Sequence, residues 1–426
     1  MKKIKAPALS TPTGVEGRAL DVERAPARGR VTAVDRWLAR RMFQIMGEPP
    51  INVVLWNGEE LAGSPATPVA RVWIRDRKTF YRLLIQPDLH FGDLYSVGRI
   101  EVEGSLVKFL ETVSRNASRI GVLKRLPRIL SRRHRNTLTG SKDNIHHHYD
   151  ISNGFYAHWL DDEMQYTCAY FPDPEMTLEQ AQIAKMDHVC RKVQLKPGDK
   201  VVEAGCGWGG LARHMARHYG AHVKAYNISH EQVTYARDRA KAEGLADRVE
   251  YIEDDYRNVS GECDVFVSVG MLEHVGVEHY AGLGEVIHRS LTATGRGLIH
   301  TIGRNRPGGL NAWIEKRIFP GAHPPCLREM MEIFEPREFS VLDVENLRLH
   351  YAKTLEHWLA RFEQHVDQVT GMFDPDFMRA WRLYLSGSIA TFTTGSLQLF
   401  QITFARPLDN TIPWSRAHLY TEQHQS

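Results

Sequence analysis

The chain has 426 residues, 42% of them hydrophobic and 25% charged, with a formal net charge of +3. This composition is ordinary for a soluble globular protein, and the length suffices for one large core or two domains. No apolar run approaches the roughly 18 residues that a membrane-spanning helix needs. The five cysteines are scattered without a C-x-x-C pair, which argues against a disulfide framework or a zinc site and favours a reducing compartment.

The first residues carry no folding pattern. Residues 1–30 are rich in Pro, Gly, Ala and Arg without periodicity, which predicts a disordered tail, and no apolar segment of a secretory signal follows the basic start. Ala33–Met46 then places Trp37 and Phe43 among arginines, which predicts a basic amphipathic helix. Such a helix either packs on its own domain or contacts an anionic membrane surface.

Three short apolar segments follow the helix and are separated by polar turns: Ile51–Trp56, Ala70–Ile74 and Phe80–Leu84. Their pattern is typical of strands. Together with the helix they predict a small α+β domain over residues 31–113.

Residues 114–140 carry the sharpest charge asymmetry of the chain. Between Thr112 and Ser141 there are eight lysines and arginines and no acid, with aliphatic residues interleaved. The run indicates either a solvated basic linker or adhesion to anionic lipid, at about 1 kcal/mol per basic residue. Nucleic acid is disfavoured as a partner, because bases stack on aromatic side chains rather than aliphatic ones.

Residues 141–407 alternate strand-like and helix-like segments, as a doubly wound parallel sheet requires. Val344–Leu349 and Leu397–Phe404 are expected to close the sheet as an antiparallel pair. Residues 408–426 are predicted to be a frayed C-terminal tail. The predicted parallel strands are Lys200–Glu203, His222–Tyr226, Val249–Ile252, Val265–Val269 and Gly297–Thr301, and the predicted helices are Gln232–Ala242, Val277–Leu291, Ala352–Val369 and Pro375–Ala390.

A glycine-rich turn occupies Val201–Gly210, which reads V-V-E-A-G-C-G-W-G-G and predicts a buried strand turning sharply into a helix. Gly205, Gly207 and Gly209 let the backbone approach a ligand that a Cβ would obstruct. An acid two residues before G-x-G differs from the phosphate-binding fingerprint of dinucleotide sites. Glu203 instead suits the cationic amino group of S-adenosylmethionine. The alternative is a tight strand-to-helix turn of any α/β protein.

Polar residues follow the second and third predicted strands. Asn227, Ser229 and Gln232 stand where ribose hydroxyls would be held, although Ser229 and Gln232 also match a helix-capping box. Both interpretations can hold at once. Tyr256 and Arg257 follow the third strand, in the natural place for adenine contacts.

Several strand ends of the predicted sheet carry polar groups, and strand ends of this kind face the ligand crevice of open α/β sheets. The groups expected to meet at one rim are Cys168, Glu273, His300, the Ile302 backbone and Tyr351. A surface acid–histidine pair is the alternative for Glu273 and His274. Cys168 has no base beside it in sequence, so it is more typical of a buried small hydrophobe than of a nucleophile. The consecutive histidines 146–148 do not converge on one ion, and no metal site is predicted.

These patterns resemble the cyclopropane-fatty-acyl-phospholipid synthase family over roughly residues 140–406. The residues before 140 resemble the smaller N-terminal domain of the bacterial phospholipid enzymes less sharply. The matching motifs, in chain order, are His147–Asp150, Tyr166–Tyr170, Val202–Gly210, Ser229–Gln232, Met271–Gly276, Ile318–Gly321, His350–Leu355, Trp381–Leu385 and Gln398–Gln401.

The resemblance implies a class I methyltransferase fold, which is a Rossmann-like doubly wound sheet, with a smaller N-terminal α+β domain. Family members transfer the methyl group of S-adenosylmethionine to a cis alkene of an acyl chain, and a bicarbonate ion is the base in those that form the ring. The residues implied to hold bicarbonate are Cys168, Glu273, His300, Ile302 and Tyr351. The residues implied or predicted to hold the cofactor are Tyr166, Thr167, Glu203, Gly205, Gly207, Gly209, Asn227, Ser229, Gln232, Tyr256 and Arg257.

Three positions depart from the family pattern. Thr167 stands where Ser is common, Tyr256–Arg257 where Trp-Glu often occurs, and Ala204 replaces a larger aliphatic residue. These departures leave the reaction class intact and bear mainly on the adenine contacts.

The leading expectation is that the protein forms a cyclopropane ring on the unsaturated acyl chains of membrane phospholipids. Methyl addition would make a carbocation, which Tyr149, Tyr170 and Phe171 could stabilise, and bound bicarbonate would deprotonate it. C-methylation without ring closure is the second expectation, and a non-catalytic lipid-binding protein is the third. The protein is expected in the cytoplasm, peripherally bound to the anionic inner face of the membrane, without nucleic acid as a partner. The sequence leaves open whether the protein forms a homodimer.

Overall fold

A computed structural model of the chain describes residues 29–119 and 152–420. The predicted disordered tail up to residue 28, most of the basic linker, residues 141–151 and residues 421–426 lie outside this part. The described chain contains two β-sheets, each with its own hydrophobic core.

The N-terminal sheet has four strands in the order β2-β1-β3-β4. Strands β1 and β3 are parallel, and β2 and β4 pair antiparallel with them at the two edges. The elements of this part are α1 (Ala33–Ile45), β1 (Ile51–Val54), β2 (Glu60–Ala62), β3 (Ala70–Ile74), α2 (Arg77–Ile85), α3 (Pro87–Ser96), β4 (Ile100–Gly104) and α4 (Leu106–Arg119).

The second sheet has seven strands in the order β10-β11-β9-β8-β5-β6-β7. Strands β5 to β9 are parallel, and β11 pairs antiparallel with both β9 and β10. This arrangement confirms the predicted doubly wound sheet with an antiparallel closing pair. The elements are α5 (Asn153–Ala157), α6 (Leu178–Lys192), β5 (Lys200–Ala204), α7 (Gly210–Tyr219), β6 (His222–Asn227), α8 (His230–Ala242), β7 (Val249–Glu253), β8 (Cys263–Val269), α9 (Tyr280–Ser290), β9 (Leu291–Gly303), α10 (Ala312–Arg317), α11 (Leu327–Phe334), β10 (Ser340–Asn346), α12 (Arg348–Gln364), α13 (Val366–Thr370), α14 (Pro375–Thr393) and β11 (Gln398–Ala405).

One predicted strand of the N-terminal part is wrong, because Phe80–Leu84 lies within helix α2. The Asp76 side chain caps this helix by accepting a hydrogen bond from the Thr79 backbone at 2.7 Å. Phe80 is fully buried, and Leu83 and Leu84 pack against the same core, which is the i, i+3, i+4 spacing of a helix face.

Two boundaries near the end of the second sheet also differ from the prediction. Strand β10 ends at Asn346, not Leu349, because the Asn346 side chain accepts from the Arg348 backbone at 3.1 Å as helix α12 begins. The helix predicted over Ala352–Val369 is two helices that meet at His365.

A buried arginine joins the two parts of the molecule. Arg379 of α14 donates to the carbonyls of Tyr95 at 2.7 Å and Ile100 at 3.1 Å, and it pairs with Glu101 at 2.9 Å. At the rim, Arg317 pairs with Asp93 at 3.0 Å. Helix α14 therefore packs on the N-terminal part through satisfied polar contacts. Of the helices in residues 29–119 and 152–420, none combines the length and the apolarity needed to cross a bilayer.

Candidate active site

A cleft opens at the carboxyl ends of β5, β6 and β8, beside the glycine turn. Gly205 and Gly207 of this turn have φ angles of 85° and 53°, which favour glycine. A Cβ on Gly207 would meet no described atom within 4 Å, so this position faces open space. Seven of the predicted cofactor residues line the cleft, namely Tyr166, Thr167, Glu203, Gly205, Gly207, Asn227 and Gln232.

Glu203 lines this cleft and is only 2% exposed. Its Oε2 has no hydrogen-bond partner within the described part of the chain. Burial raises the pKa of this carboxyl to about 7, and the positive charges of Lys185 and Arg213 oppose that shift. Because a buried carboxylate is costly without a partner, the cleft fits a ligand that carries a positive charge.

Two amide side chains form the wall of the cleft at the end of β6. Asn227 Nδ2 donates to Gln232 Oε1 at 2.8 Å and to the Gly207 carbonyl at 3.2 Å. Ser229 instead caps helix α8, where its Oγ accepts from the Gln232 backbone at 3.5 Å. The amides of Asn227 and Gln232 therefore face the cleft, whereas Ser229 is buried and does not line it.

Three further predicted cofactor residues also lie outside the cleft lining. A Cβ on Gly209 would come within 2.5 Å of the Tyr251 ring, so this glycine allows close packing under the turn. Tyr256 and Arg257 form a short 3₁₀ turn after β7. The Arg257 guanidinium pairs with Asp255 at 2.7 Å, and Tyr256 packs against the core that contains α9.

Glu273 and the Ile302 backbone are in direct contact at the neighbouring rim. Glu273 lies in a 3₁₀ turn after β8, and its Oε1 accepts a hydrogen bond from the Ile302 N–H at 2.5 Å. The Oε2 of Glu273 has no hydrogen-bond partner in the described chain, and the residue is 5% exposed. Burial raises the pKa of Glu273 to about 7, so this carboxyl can hold or release a proton near neutral pH.

His300 stands two residues before Ile302 on β9 and is fully buried. Its Nδ1 lies 3.1 Å from Gln401 Nε2 of β11, and no described atom is bonded to its Nε2. Burial lowers the pKa of His300 to about 3, so the ring is neutral at physiological pH. With Gln401 donating to Nδ1, the Nε2 of the neutral ring carries the proton and can donate it to a ligand.

Cys168 and Tyr351 both contact the Leu347 carbonyl, and Leu347 connects them to this rim. The Cys168 thiol lies 3.9 Å from the Leu347 carbonyl, and the Tyr351 backbone donates to that carbonyl at 3.2 Å at the start of α12. Leu347 in turn donates to Leu399, which lies opposite Ile302 in the β9–β11 pair. Burial raises the pKa of the Cys168 thiol, which agrees with a buried neutral group rather than a nucleophile.

The aromatic residues predicted to form a pocket wall are partly described. Tyr170 stacks on His188 with ring centroids 4.2 Å apart and on His350 at 4.9 Å, and Phe171 packs in the same core. Tyr149 and the three histidines 146–148 lie outside the described residues. A closer aromatic group surrounds the cleft residue Tyr166, whose ring lies within 5.4 Å of Tyr156, Trp159 and Trp358.

The sequence prediction missed several groups of the cleft. Trp208 and Met271 line it, although Trp208 sits inside the glycine motif itself, whereas His274, which also lines it, was a candidate from the end of β8. Lys185 was missed as well. The sequence feature that could have identified it is its position on the buried stripe of α6, between Ala181 and Val189. A lysine on an apolar helix face is rarely buried without a partner.

Comparisons with known proteins agree with this geometry. A family model described as mycolic acid cyclopropane synthetase matches residues 136–402. A probable fatty acid methyltransferase of Pseudomonas putida is 35% identical over 387 residues, covering 87% of this chain and 96% of that protein. The cyclopropane-fatty-acyl-phospholipid synthase of Escherichia coli (strain K12) is 38% identical over 270 residues, covering 63% and 69%.

Solved structures give the same assignment. The mycolic acid cyclopropane synthase CmaA1, complexed with SAH and CTAB, superposes with a TM-score of 0.59 at 30% identity, covering 62% of this chain and 98% of that chain. A coclaurine N-methyltransferase structure has a TM-score of 0.60 at 19% identity, which supports the fold alone. The chain therefore belongs to the mycolic acid cyclopropane synthetase family, and it is an S-adenosylmethionine-dependent enzyme of the kind that includes cyclopropane-fatty-acyl-phospholipid synthase.

Proposed function

We propose that this enzyme methylates the cis double bond of an unsaturated acyl chain in a membrane phospholipid and closes a cyclopropane ring there. The observation that carries the proposal is that Glu273, in the turn after β8, and His300, on the neighbouring strand β9, are both buried. Each of these residues has an atom without a hydrogen-bond partner among the described residues, Oε2 of Glu273 and Nε2 of His300. A buried polar atom without a protein partner is costly, so these two atoms fit a bound polar ligand.

The cofactor residues hold and orient a cation. S-adenosylmethionine supplies an electrophilic methyl group when it is bound. Glu203 would face its positive charge, the backbone at Gly207 leaves room for it, and the amides of Asn227 and Gln232 can hold its ribose hydroxyls. Since an alkene is a weak nucleophile, this fixed placement matters more here than for an amine or thiolate substrate.

The second set of predicted site residues, called the base group, suits a small oxyanion; its members are Cys168, Glu273, His300, the Ile302 backbone and Tyr351. Bicarbonate supplies a base when it is bound. His300 can donate Nε2–H to it, while Glu273 is held by Ile302 and can share a proton with it, because two negative groups at short distance resist joint ionisation. These residues thus define where the proton of the new methyl group would be removed.

The surroundings of Tyr166 suit an apolar chain that acquires positive charge during the reaction. Its hydroxyl is 2.8 Å from the Tyr384 hydroxyl, which fixes the ring at the cleft. The Tyr166 ring lines the cleft, is packed against Tyr156, Trp159 and Trp358, and supplies a negative quadrupole that attracts a cation. An alkyl carbocation would be stabilised near such faces without a bond to the protein.

A second product, a methyl- or methylene-branched chain without a ring, is favoured by one relative. The Pseudomonas putida protein that matches 87% of this chain is described as a probable fatty acid methyltransferase. Both products start with the same methyl transfer, which leaves a carbocation beside the methylated carbon. Loss of a proton from the new methyl group then closes the ring, whereas a hydride shift to the cationic carbon before that loss gives a methylene branch. Glu273 and His300 are the residues expected to decide this outcome.

Mass spectrometry of lipids from cells that express the protein tests the proposal. Ring closure adds one CH₂ to an unsaturated chain and removes its reactivity as an alkene. A methylene-branched chain gains the same mass and keeps an alkene, while reduction gives a saturated methyl branch. Cells that express the Glu203→Ala variant serve as the control, and unchanged lipids in cells with the parent protein would contradict the proposal.

We further propose that the enzyme docks on an anionic membrane surface through helix α1 and the basic linker. The buried face of α1 consists of Asp35, Ala39 and Phe43, so one face packs on the N-terminal domain. Its outer stripe is Val34, Trp37, Arg41 and Ile45, with Val34 56% and Trp37 63% exposed. An apolar and basic stripe at i, i+3, i+7 spacing is typical of helices that lie in a lipid interface.

A further inference from the structure

A fully buried lysine lies between the cofactor cleft and the base group. Lys185 of α6 is 0% exposed, and its Nζ donates to Gln165 Oε1 and, at 3.0 Å, to Thr167 Oγ1. Burial lowers the pKa of this ammonium group to about 8, and the carboxyl groups of Asp161 and Glu203 oppose the shift. The group therefore remains largely charged at neutral pH, although water does not reach it.

The segment that Lys185 contacts serves both sites. Met164–Thr167 lines the cofactor cleft, and the next residue, Cys168, belongs to the base group. Met164 begins the segment in the left-handed region at φ 56°, which a residue other than glycine seldom adopts. The segment thus needs tertiary contacts to keep its shape.

Helix α6 supplies those contacts through two side chains, one helical turn apart. Gln182 Nε2 donates to the Thr167 carbonyl at 2.9 Å and to the Gln165 carbonyl at 3.3 Å. Lys185 holds the side chains of the same two residues. Backbone and side chains of Gln165 and Thr167 are therefore fixed from one helix.

We propose that Lys185 is a positioning residue that holds the Gln165–Cys168 segment between the two sites and places its charge beside Glu203. Through Thr167 it fixes the wall of the cofactor cleft, and through the next residue it fixes the thiol of Cys168. The inference rests on the proposed function only where turnover is concerned, because cofactor binding can be measured without an acyl substrate.

The first test compares two buried lysines of the same helix. Lys185→Met keeps the length of the side chain and removes its charge and donors. Lys192→Met is the matched control, since Lys192 is buried two turns further on and pairs with Asp343 and Glu345 instead. By calorimetry with SAH, Lys185→Met should weaken binding about tenfold or more, whereas Lys192→Met should stay within about twofold of the parent.

Both variants lose a buried charge, so both are expected to unfold at lower urea concentration than the parent. A purely structural role for Lys185 would lower the unfolding midpoint and leave SAH affinity unchanged in the folded protein. That result would overturn the proposal. Absence of a lipid product from the parent would contradict the proposed function and leave the SAH comparison valid.

A second pair of variants changes Thr167, the acceptor of the Lys185 hydrogen bond. This pair tests the proposal even if Lys185→Met does not fold. Thr167→Ser keeps the Oγ acceptor of Lys185, and Thr167→Val keeps the shape and loses it. We expect Thr167→Val to weaken SAH binding about tenfold and Thr167→Ser to change it less than about threefold. Equal affinities of the two variants would overturn the proposal. In the double variant Lys185→Met/Thr167→Val, the loss of SAH affinity should be smaller than the sum of the two single losses, since both substitutions remove the same hydrogen bond.

Discussion

The carboxylate of Glu273 is held by the backbone N–H of Ile302, so one of its oxygens is bonded, and the other has no hydrogen-bond partner among the described residues. This contact crosses from the turn after β8 to the end of β9, two neighbouring parallel strands. It fixes the orientation of the carboxyl while leaving its second oxygen available for a ligand. Ile302 therefore orients Glu273 through one oxygen, and the proposed ligand would bind the other.

Replacement of Glu273 is expected to affect turnover more than cofactor binding. Glu273→Gln keeps an acceptor for Ile302 and loses the proton-sharing carboxylate, so the rate constant kcat should fall about 100-fold or more while SAH affinity changes less than about threefold. Glu278→Gln, an acid in the next 3₁₀ turn, is the control. Equal losses of kcat and of SAH affinity in Glu273→Gln would contradict the assigned role.

The open space beside Gly207 predicts a steric block. Gly207→Val places a branched side chain in the cleft, so SAH binding should fall below detection by calorimetry. Gly244→Val is the matched control, because Gly244 also has a positive φ, of 69°, and a Cβ there meets no described atom within 4 Å. Both variants bear a similar backbone strain of roughly 1–2 kcal/mol. Normal SAH affinity in a folded Gly207→Val protein would refute the location of the cleft.

The raised pKa of Glu203 predicts that cofactor binding depends on pH. The folded, ligand-free carboxyl has a pKa of about 7, so it is protonated below that pH and ionised above it. A cationic ligand binds the ionised form, and affinity for S-adenosylmethionine should therefore rise by up to about tenfold per pH unit between about pH 5.5 and pH 7. Calorimetry across this range measures it. Glu203→Gln should bind more weakly, with a flat profile, and an equally steep profile in that variant would assign the titration to another group.

The Arg379 contact predicts a large loss of stability without loss of cofactor binding. Arg379→Met leaves two buried carbonyls and Glu101 without their partner, which should lower the free energy of unfolding by about 3–5 kcal/mol. Arg317→Met removes an exposed pair with Asp93 and should cost less than about 1 kcal/mol. Urea unfolding compares the two variants. A similar small loss in both would mean that Arg379 contributes little to the packing of α14 on the N-terminal part.

Vesicle binding should depend on charge and on helix α1. The quadruple variant of Arg125, Arg128, Arg132 and Arg133 to Ser, and separately Trp37→Ser, should each reduce co-sedimentation with anionic vesicles without changing SAH affinity. Binding of the parent should weaken with salt, because the Debye length falls from about 10 Å at 0.1 M to about 3 Å at 1 M. Binding by both variants that equals the parent at every salt concentration would assign docking to another surface.

The sequence predicted the second sheet well, because parallel strands buried on both faces are continuous apolar runs that helices separate. It failed at Phe80–Leu84, where five residues fit a strand and a helix equally and the capping contact of Asp76 decides. The end of β10 was missed for a similar reason. There the Asn346 side chain starts a helix within a segment that is still apolar.

The site prediction rests on residues at or just after strand ends, and the structure places Glu203 and Asn227 in the cleft lining and Glu273 in a turn at the neighbouring rim. It placed Gly209 and Tyr256 at the cofactor, whereas the structure packs them against Tyr251 and the core beside α9. Spacing along a chain does not tell which side of a turn a residue faces. Helical spacing could have indicated that Lys185 is buried but not what it contacts, since its partners Gln165 and Thr167 come from a loop without a periodic pattern.

The position of Arg379 in the chain has a consequence for synthesis. Its guanidinium bonds to the Tyr95 carbonyl, 284 residues earlier, so the N-terminal sheet emerges from the ribosome long before the helix that covers it. At about 5–20 residues per second, the face around Tyr95 waits roughly 14–57 seconds for its partner. During that interval the face of α3 around Tyr95 lacks the helix α14 that packs on it in the folded protein.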